Sequence, residues 1–233
     1  LRRYPGALSA RLAVLASGAG SNALAIARAC DDGRIAGRVA VVLSNRPQAP
    51  VLAASASRGL VTRVVDHRRF ESRDAFDAAL IEALAPFEPE LVALAGFMRV
   101  LTPRFLRPYR GRLINIHPSL LPRFPGLDTH ARVLAAGDPE TGATVHYVTE
   151  ALDAGPAIVQ GRLRVRADDD VASLAARVQA LEHRIYPLAL GACVAGRVAL
   201  DAGGATLDGK PLPPAGADPG ALSAQARGSV TPR

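Results

Sequence analysis

From residue 11 onward, short runs of Val, Leu, Ile and Ala alternate with longer stretches in which apolar residues recur every three or four positions. The runs 11–17 (RLAVLAS), 39–44 (VAVVLS), 62–66 (TRVVD), 91–96 (LVALAG) and 113–117 (LINIH) are bounded by Gly, Pro, Ser or Asn. A strand that is apolar at successive residues is covered on both faces, as in parallel sheets. The stretches 22–31, 49–58 and 73–84 carry helical spacing. Repeated strand–helix–strand units with right-handed crossovers predict a Rossmann-like, open, mostly parallel α/β sheet with helices on both faces. Ligands of such sheets sit beyond the carboxyl ends of the strands, where 17–22, 96–101 and 117–125 fall.

After residue 140 the period changes to two. Residues 143–149 (ATVHYVT) and 157–165 (AIVQGRLRV) alternate, with Asp153-Ala154-Gly155-Pro156 between them, which predicts an antiparallel C-terminal extension. A helix follows: Val171, Leu174, Val178, Leu181 and Ile185 form one stripe, and acidic residues 168–170 lie near its start. Residues 211–233, rich in Pro, Gly, Ala and Ser without periodicity, are expected to be a disordered tail, leaving a single domain over 1–210.

Composition narrows the function. The 233 residues are 49% hydrophobic and 21% charged, enough for a sizeable core. The net charge of +7 is almost wholly arginine, Lys210 being the single lysine. Those arginines are dispersed and aromatics are only 4%, so nucleic acid is not an expected partner, whereas anionic small substrates fit. No apolar run is long enough to span a bilayer and no secretory signal opens the chain, which gives a cytoplasmic, membrane-free expectation. Cys30 and Cys193 form no CxxC or ligand cluster; both are expected to be buried, reduced thiols, without disulfide or metal.

The loop 16–22 (ASGAGSN) joins the first strand to the first helix. Gly18, Gly20 and Ala23 meet a loose dinucleotide pattern, but the second strand ends in Leu43-Ser44-Asn45-Arg46 without the acidic residue that holds a ribose. What stays is an anion site: Gly20 permits close backbone approach, and the amides of Ser21 and Asn22 at a helix N-terminus can hold a phosphate. The plainer alternative is a strand-to-helix turn with Ser21 as N-cap.

In 113–117, Asn115 and His117 project to one side while Ile114 and Ile116 pack on the other, and Pro118 ends the strand there. A core histidine satisfied by an asparagine would explain the pair, and turn chemistry would explain Asp153 before Gly155. If the 150–156 loop folds back, however, Asn115, His117 and Asp153 converge without a Ser or Cys nucleophile. That trio suits acyl transfer to an external nucleophile: an oxyanion donor, a proton-handling imidazole and a carboxylate to set its charge.

Five blocks, SGAGSN, LAGFMRVL, GRLINIHPSLLPRFPG, ATVHYVTEALDAGP and RVQALEHRIYP, occur in this order within about residues 11–209. Together they resemble the phosphoribosylglycinamide formyltransferases, folate-dependent enzymes of purine synthesis. The resemblance implies a formyltransferase fold, with a phosphate-binding half at about 11–110 and a catalytic and folate half at about 111–210. It implies transfer of a formyl group from 10-formyltetrahydrofolate to the glycyl amine of the ribosyl phosphate substrate, without a metal. By motif, Asn115 would bond the formyl oxygen, His117 would stabilise the tetrahedral intermediate and move protons, and Asp153 would orient and charge-stabilise His117. Gly20, Ser21 and Asn22 would hold the substrate phosphate, with Gln179 nearby and Glu182 on the glycyl amine. Met98, Arg99, Val100 and Leu101, together with Asn115, would line the folate site, and Arg73 would meet the glutamate-tail carboxylates. Asp128 and Thr141 stand where histidines are usual, while His130 is retained. A monomer or homodimer is expected. Three alternatives remain: a formyltetrahydrofolate deformylase, expected to carry an N-terminal regulatory domain; a methionyl-tRNA formyltransferase, expected to carry a further C-terminal domain; and a non-catalytic sugar-phosphate-binding module.

Overall fold

The computed structural model describes residues 9–223. Its chain order is β1 (Ala10–Leu15), α1 (Ser21–Asp31), β2 (Gly37–Ser44), α2 (Pro50–Ala56), β3 (Thr62–Val64), α3 (Arg73–Leu84), β4 (Leu91–Leu94), α4 (Pro103–Leu106) and β5 (Leu113–His117). Then come α5 (Thr129–Ala135), β6 (Glu140–Tyr147), β7 (Ala157–Arg164), α6 (Val171–Val194), β8 (Val198–Asp201), β9 (Gly204–Leu207), β10 (Lys210–Pro211) and α7 (Pro219–Ser223).

Seven strands form one sheet in the order β3-β2-β1-β4-β5-β6-β7. The first five are parallel, and β6 and β7 add on antiparallel. The chain therefore builds outward from β1 to β3, returns, and builds the other way from β4. The crevice where the direction switches lies between the carboxyl ends of β1 and β4.

Burial follows from the apolar runs. Leu12, Val14 and Ala16 face one core with Ile26, Val178, Ile185, Tyr186 and Leu190. Ala13 and Leu15 face the other, with Phe76, Leu80, Leu84 and Phe105. Successive strand residues alternate between two apolar layers, and that is why the runs do not alternate with polar residues. The α6 helix starts at a capping box in which the Asp170 side chain accepts from the Ser173 N–H and Ser173 answers to the Asp170 N–H. No helix among the described residues is long and apolar enough to cross a membrane.

Several expectations change. The predicted strand 143–149 starts earlier, at Glu140, and pairs with β5 as well as β7. A separate three-stranded sheet of β8, β9 and β10 forms where periodicity predicted nothing, because these strands are only two to four residues long. The tail expected to be disordered from 211 is ordered to 223: the Ala217 N–H donates to the Ile158 carbonyl at 2.8 Å, Ala217 and Leu222 are buried, and Arg197 donates to the carbonyls of Ala221 and Leu222. Two apolar anchors and one half-buried arginine hold a segment whose composition alone cannot reveal them; residues 224–233 lie outside the described part. Cys193 is buried as expected, while Cys30 is only half-buried; burial pushes their thiols up to about 12 and about 11.

Candidate active site

At the N-terminus of α1, Gly20 occupies the left-handed region at φ 77° and serves as N-cap without a side-chain bond. A Cβ there would also sit 2.1 Å from Val51 Cγ2, so both conformation and packing demand glycine. The first intrahelical bond runs from the Leu24 N–H to the Gly20 carbonyl, which leaves the amides of Ser21, Asn22 and Ala23 without an intrahelical acceptor. Ser21 is thus the first helical residue and not the N-cap.

Packing of α1 against α6 brings Glu182 to this terminus, where Asn22 Nδ2 donates to Glu182 Oε2 at 2.7 Å. Both side chains are buried, and Asn22 Oδ1 has no partner. Burial raises the Glu182 carboxyl above its usual range, partly countered by the Asn22 bond. Gln179, one turn earlier, is exposed.

The second group of residues assembles beyond β5. Tyr186 OH bonds the carbonyls of Leu94 at 3.0 Å and Ile114 at 2.9 Å, fixing β4 to β5 directly before Asn115. Asn115 and His117 share a face, as their spacing predicts, and His117 is 5% exposed. In the antiparallel pairing, Asn115 lies opposite His146 and His117 opposite Thr144. The loop after β6 folds back over them. Gly155 lies so close to β6 that a Cβ would sit 1.8 Å from the Tyr147 carbonyl oxygen, and Asp153 takes φ 51°, which an aspartate tolerates better than most residues.

Asp153 Oδ2 consequently stands 3.4 Å from His117 Nδ1, and both side chains are under 10% exposed, at 9% and 6%. The same oxygen accepts the Gly126 N–H at 2.9 Å. On the other side of the ring, His117 Nε2 meets the Phe124 carbonyl at 2.9 Å. A carbonyl only accepts, so Nε2 carries a proton and Nδ1 is the ring nitrogen that faces the Asp153 carboxylate.

His146 is the functional side chain that sequence reasoning missed. It is 2% exposed, and its Nδ1 meets the Tyr147 carbonyl at 2.9 Å, so Nδ1 is protonated and Nε2 accepts. Asn115 Nδ2 lies 3.1 Å from Nε2 and donates to it. That bond fixes which end of the Asn115 amide is which and leaves a second N–H and the Oδ1 oxygen uncommitted. Burial lowers the His146 pKa, keeping the ring neutral as this contact requires. A histidine on the same strand face as Thr144, in a strand otherwise apolar from Ala143 to Tyr147, was the available signal.

The remaining expected residues lie along the crevice. Met98 and Val100 are exposed, Arg99 is half-buried and Leu101 buried, in the loop leaving β4. The Met98 N–H donates to Ser17 Oγ at 2.8 Å, and Ser17 in turn donates to Asn45 Oδ1 at 2.6 Å. Arg73 is exposed at the first position of α3, away from both groups. Asp128 takes a left-handed φ of 54° before α5, Thr141 is buried in β6, and His130 is near enough for His117 to lower its pKa, although burial contributes more. Among the described residues, no group of three or more His, Cys, Asp or Glu is placed to hold a metal.

Chemically, an imidazole, a buried carboxylate and an oriented amide surround one point without a protein nucleophile, beside a helix terminus able to hold an anion. A family model described as formyl transferase matches residues 10–190. The chain is 46% identical over 205 residues to phosphoribosylglycinamide formyltransferase of Escherichia coli (strain K12), covering 88% of this chain and 97% of that protein. Its fold is similar to that of phosphoribosylglycinamide formyltransferase from Coxiella burnetii, solved in complex with CHES. There the TM-score is 0.86 at 44% identity, over 90% of this chain and 98% of the other. It is also similar, at 25% identity and a TM-score of 0.79, to a formyltetrahydrofolate deformylase from Pseudomonas syringae pv. tomato, over 86% of this chain and 66% of the deformylase.

Proposed function

The chain belongs to the formyl transferase family, and from that premise we propose that it moves a formyl group from 10-formyltetrahydrofolate to the glycyl amine of 5'-phosphoribosylglycinamide. It is an enzyme of purine biosynthesis, of the kind for which its relatives are named. The observation that carries the assignment of roles is the contact of 3.4 Å between His117 Nδ1 and Asp153 Oδ2, set beside Asn115.

In this reading the amides of Ser21 and Asn22, past Gly20, hold the ribotide phosphate, and Gln179 approaches from the surface of α6. Glu182 accepts from the glycyl amine. Its elevated pKa reflects a carboxylate that burial keeps short of partners, and an amine N–H supplies one. The backbone of Met98, Arg99, Val100 and Leu101 faces the folate ring, and Arg73 reaches the glutamate carboxylates.

The reaction forms one C–N bond and breaks another. The amine nitrogen attacks the formyl carbon, negative charge develops on the formyl oxygen, and the bond from carbon to folate nitrogen breaks as that nitrogen gains a proton. The free N–H of Asn115, held in place by His146, is the donor for the developing oxyanion. The His117–Asp153 pair takes the amine proton and returns it to the departing nitrogen, directly or through water.

The deformylase reading calls on the same trio with water as nucleophile. Mixing purified protein with the ribotide and the formylated folate, then omitting the ribotide, separates the two. Tetrahydrofolate should appear only with the ribotide present; equal release without it would establish the hydrolase.

A further inference from the structure

Asp77 is a fully buried carboxylate that the formyl transfer does not use. It lies one turn beyond Arg73 in α3, among Phe76, Leu80 and Leu84, and is 0% exposed. A lone carboxylate in an apolar layer costs free energy unless it is paired. Burial raises its pKa above the ordinary carboxylate range, helped by the charge of Asp74; hydrogen bonding from Thr102 offsets this in part, and the charge of Arg99 contributes less.

Its one strong contact explains its position. Asp77 Oδ2 accepts the backbone N–H of Thr102 at 2.6 Å. Thr102 is the extended residue, at φ −87° and ψ 166°, that ends the loop after β4 and caps α4 without using its own side chain. The start of this loop is held by Ser17 Oγ on the Met98 N–H. The segment Met98, Arg99, Val100 and Leu101 is therefore fastened at two backbone amides, one by a hydroxyl and one by a carboxylate. Between the fastenings, Met98 and Val100 are large apolar side chains exposed at 56% and 53%. Asp77 Oδ1, Arg99 Nε and Thr102 Oγ1 are buried without a geometrically formed hydrogen bond, although the Thr102 hydroxyl is near enough to help lower the Asp77 pKa.

We propose that Asp77 is the positioning residue for the folate-facing loop, fixing its backbone through Thr102. This rests on the reading that residues 98–101 face the folate. Because Arg73 leaves the same helix one turn earlier, α3 ties the expected anchor for the tail carboxylates to the loop expected to hold the ring.

The test is Asp77→Ala against Asp77→Asn. Three quantities are read for each: the KM of each substrate, kcat, and the calorimetric Kd for tetrahydrofolate. Leaving the part-buried Thr102 N–H without an acceptor costs up to about 1–3 kcal/mol, or roughly 5- to 150-fold. Asp77→Ala should raise the folate KM and the tetrahydrofolate Kd by about tenfold or more, with ribotide KM and kcat within about twofold. Asp77→Asn keeps an oxygen for Thr102 and should recover most of that loss. A folate KM and Kd unchanged in Asp77→Ala overturns the proposal. So does an equal loss in both substrates and kcat in both variants, the mark of general damage. Wild-type protein that binds tetrahydrofolate yet transfers no formyl group would defeat the functional reading alone, since the Kd series still tests Asp77. Wild-type protein that binds no folate at all would defeat both.

Discussion

The anion cradle at α1 and the cluster beyond β5 sit at the same sheet edge but are built in opposite ways. The cradle is backbone: its donors are amides that any residue at 21 or 22 would supply, and the position it cannot vary is Gly20, where a Cβ meets Val51 at 2.1 Å. The cluster is side chain: Asn115, His117, His146 and Asp153 come from two strands and a loop, and the contacts that join them run between side-chain atoms. Backbone sites fail when space is filled, and side-chain sites fail when one group is exchanged.

That contrast can be broken in order of effect. Asn115→Ala removes the oxyanion donor and should lower kcat by about 100- to 1,000-fold with both KM values little changed, measured by steady-state tetrahydrofolate release. Gly20→Ala should act on binding, raising the ribotide KM by about tenfold or more and costing about 2–4 kcal/mol of stability in denaturant unfolding, because strain and overlap add. A kcat loss with unchanged ribotide KM would erase the distinction between the regions. His146→Leu frees the Asn115 amide to rotate and should lower kcat about tenfold, with partial rescue by His146→Gln, whose oxygen can accept the same N–H.

Glu182→Gln carries the smallest effect and an opposite sign for stability. The glutamine can still meet Asn22 without a desolvated charge, so Tm should rise by about 2–4 °C while the ribotide KM worsens. Because the folded pKa of Glu182 is raised, the folded state binds more protons than the unfolded one, and wild-type stability includes a contribution lost as pH climbs from about 4.5 through the elevated value. The variant should lack that decline in thermal scans at stepped pH.

The two regions also differed in how far the sequence revealed them. Gly20, Ser21 and Asn22 are contiguous and their turn has a local signature, so the cradle was readable, and Asn115 and His117 were readable as a period-two pair at a strand end. Glu182 reached the cradle through helix packing, a tie that only the resemblance to a family made; Asp153 reached His117 through a loop closed by Gly155, a convergence the sequence offered only on the condition that 150–156 fold back. The signal at His146 was ambiguous, since a polar residue in a buried strand reads the same whether it supports an amide or merely fills space. The parallel core followed from continuous apolar runs. The small β8–β9–β10 sheet and the ordered 211–223 segment escaped because short strands and two apolar anchors leave no period.

The most direct measurement is the rate of formyl transfer by Asp153→Asn at saturating substrates, paired with calorimetric ribotide binding by the same protein. The geometry predicts a kcat lower by at least about a hundredfold with ribotide affinity within about threefold of wild type, since the His117 ring loses its counter-charge while the cradle is untouched. Wild-type turnover by this variant would contradict the account.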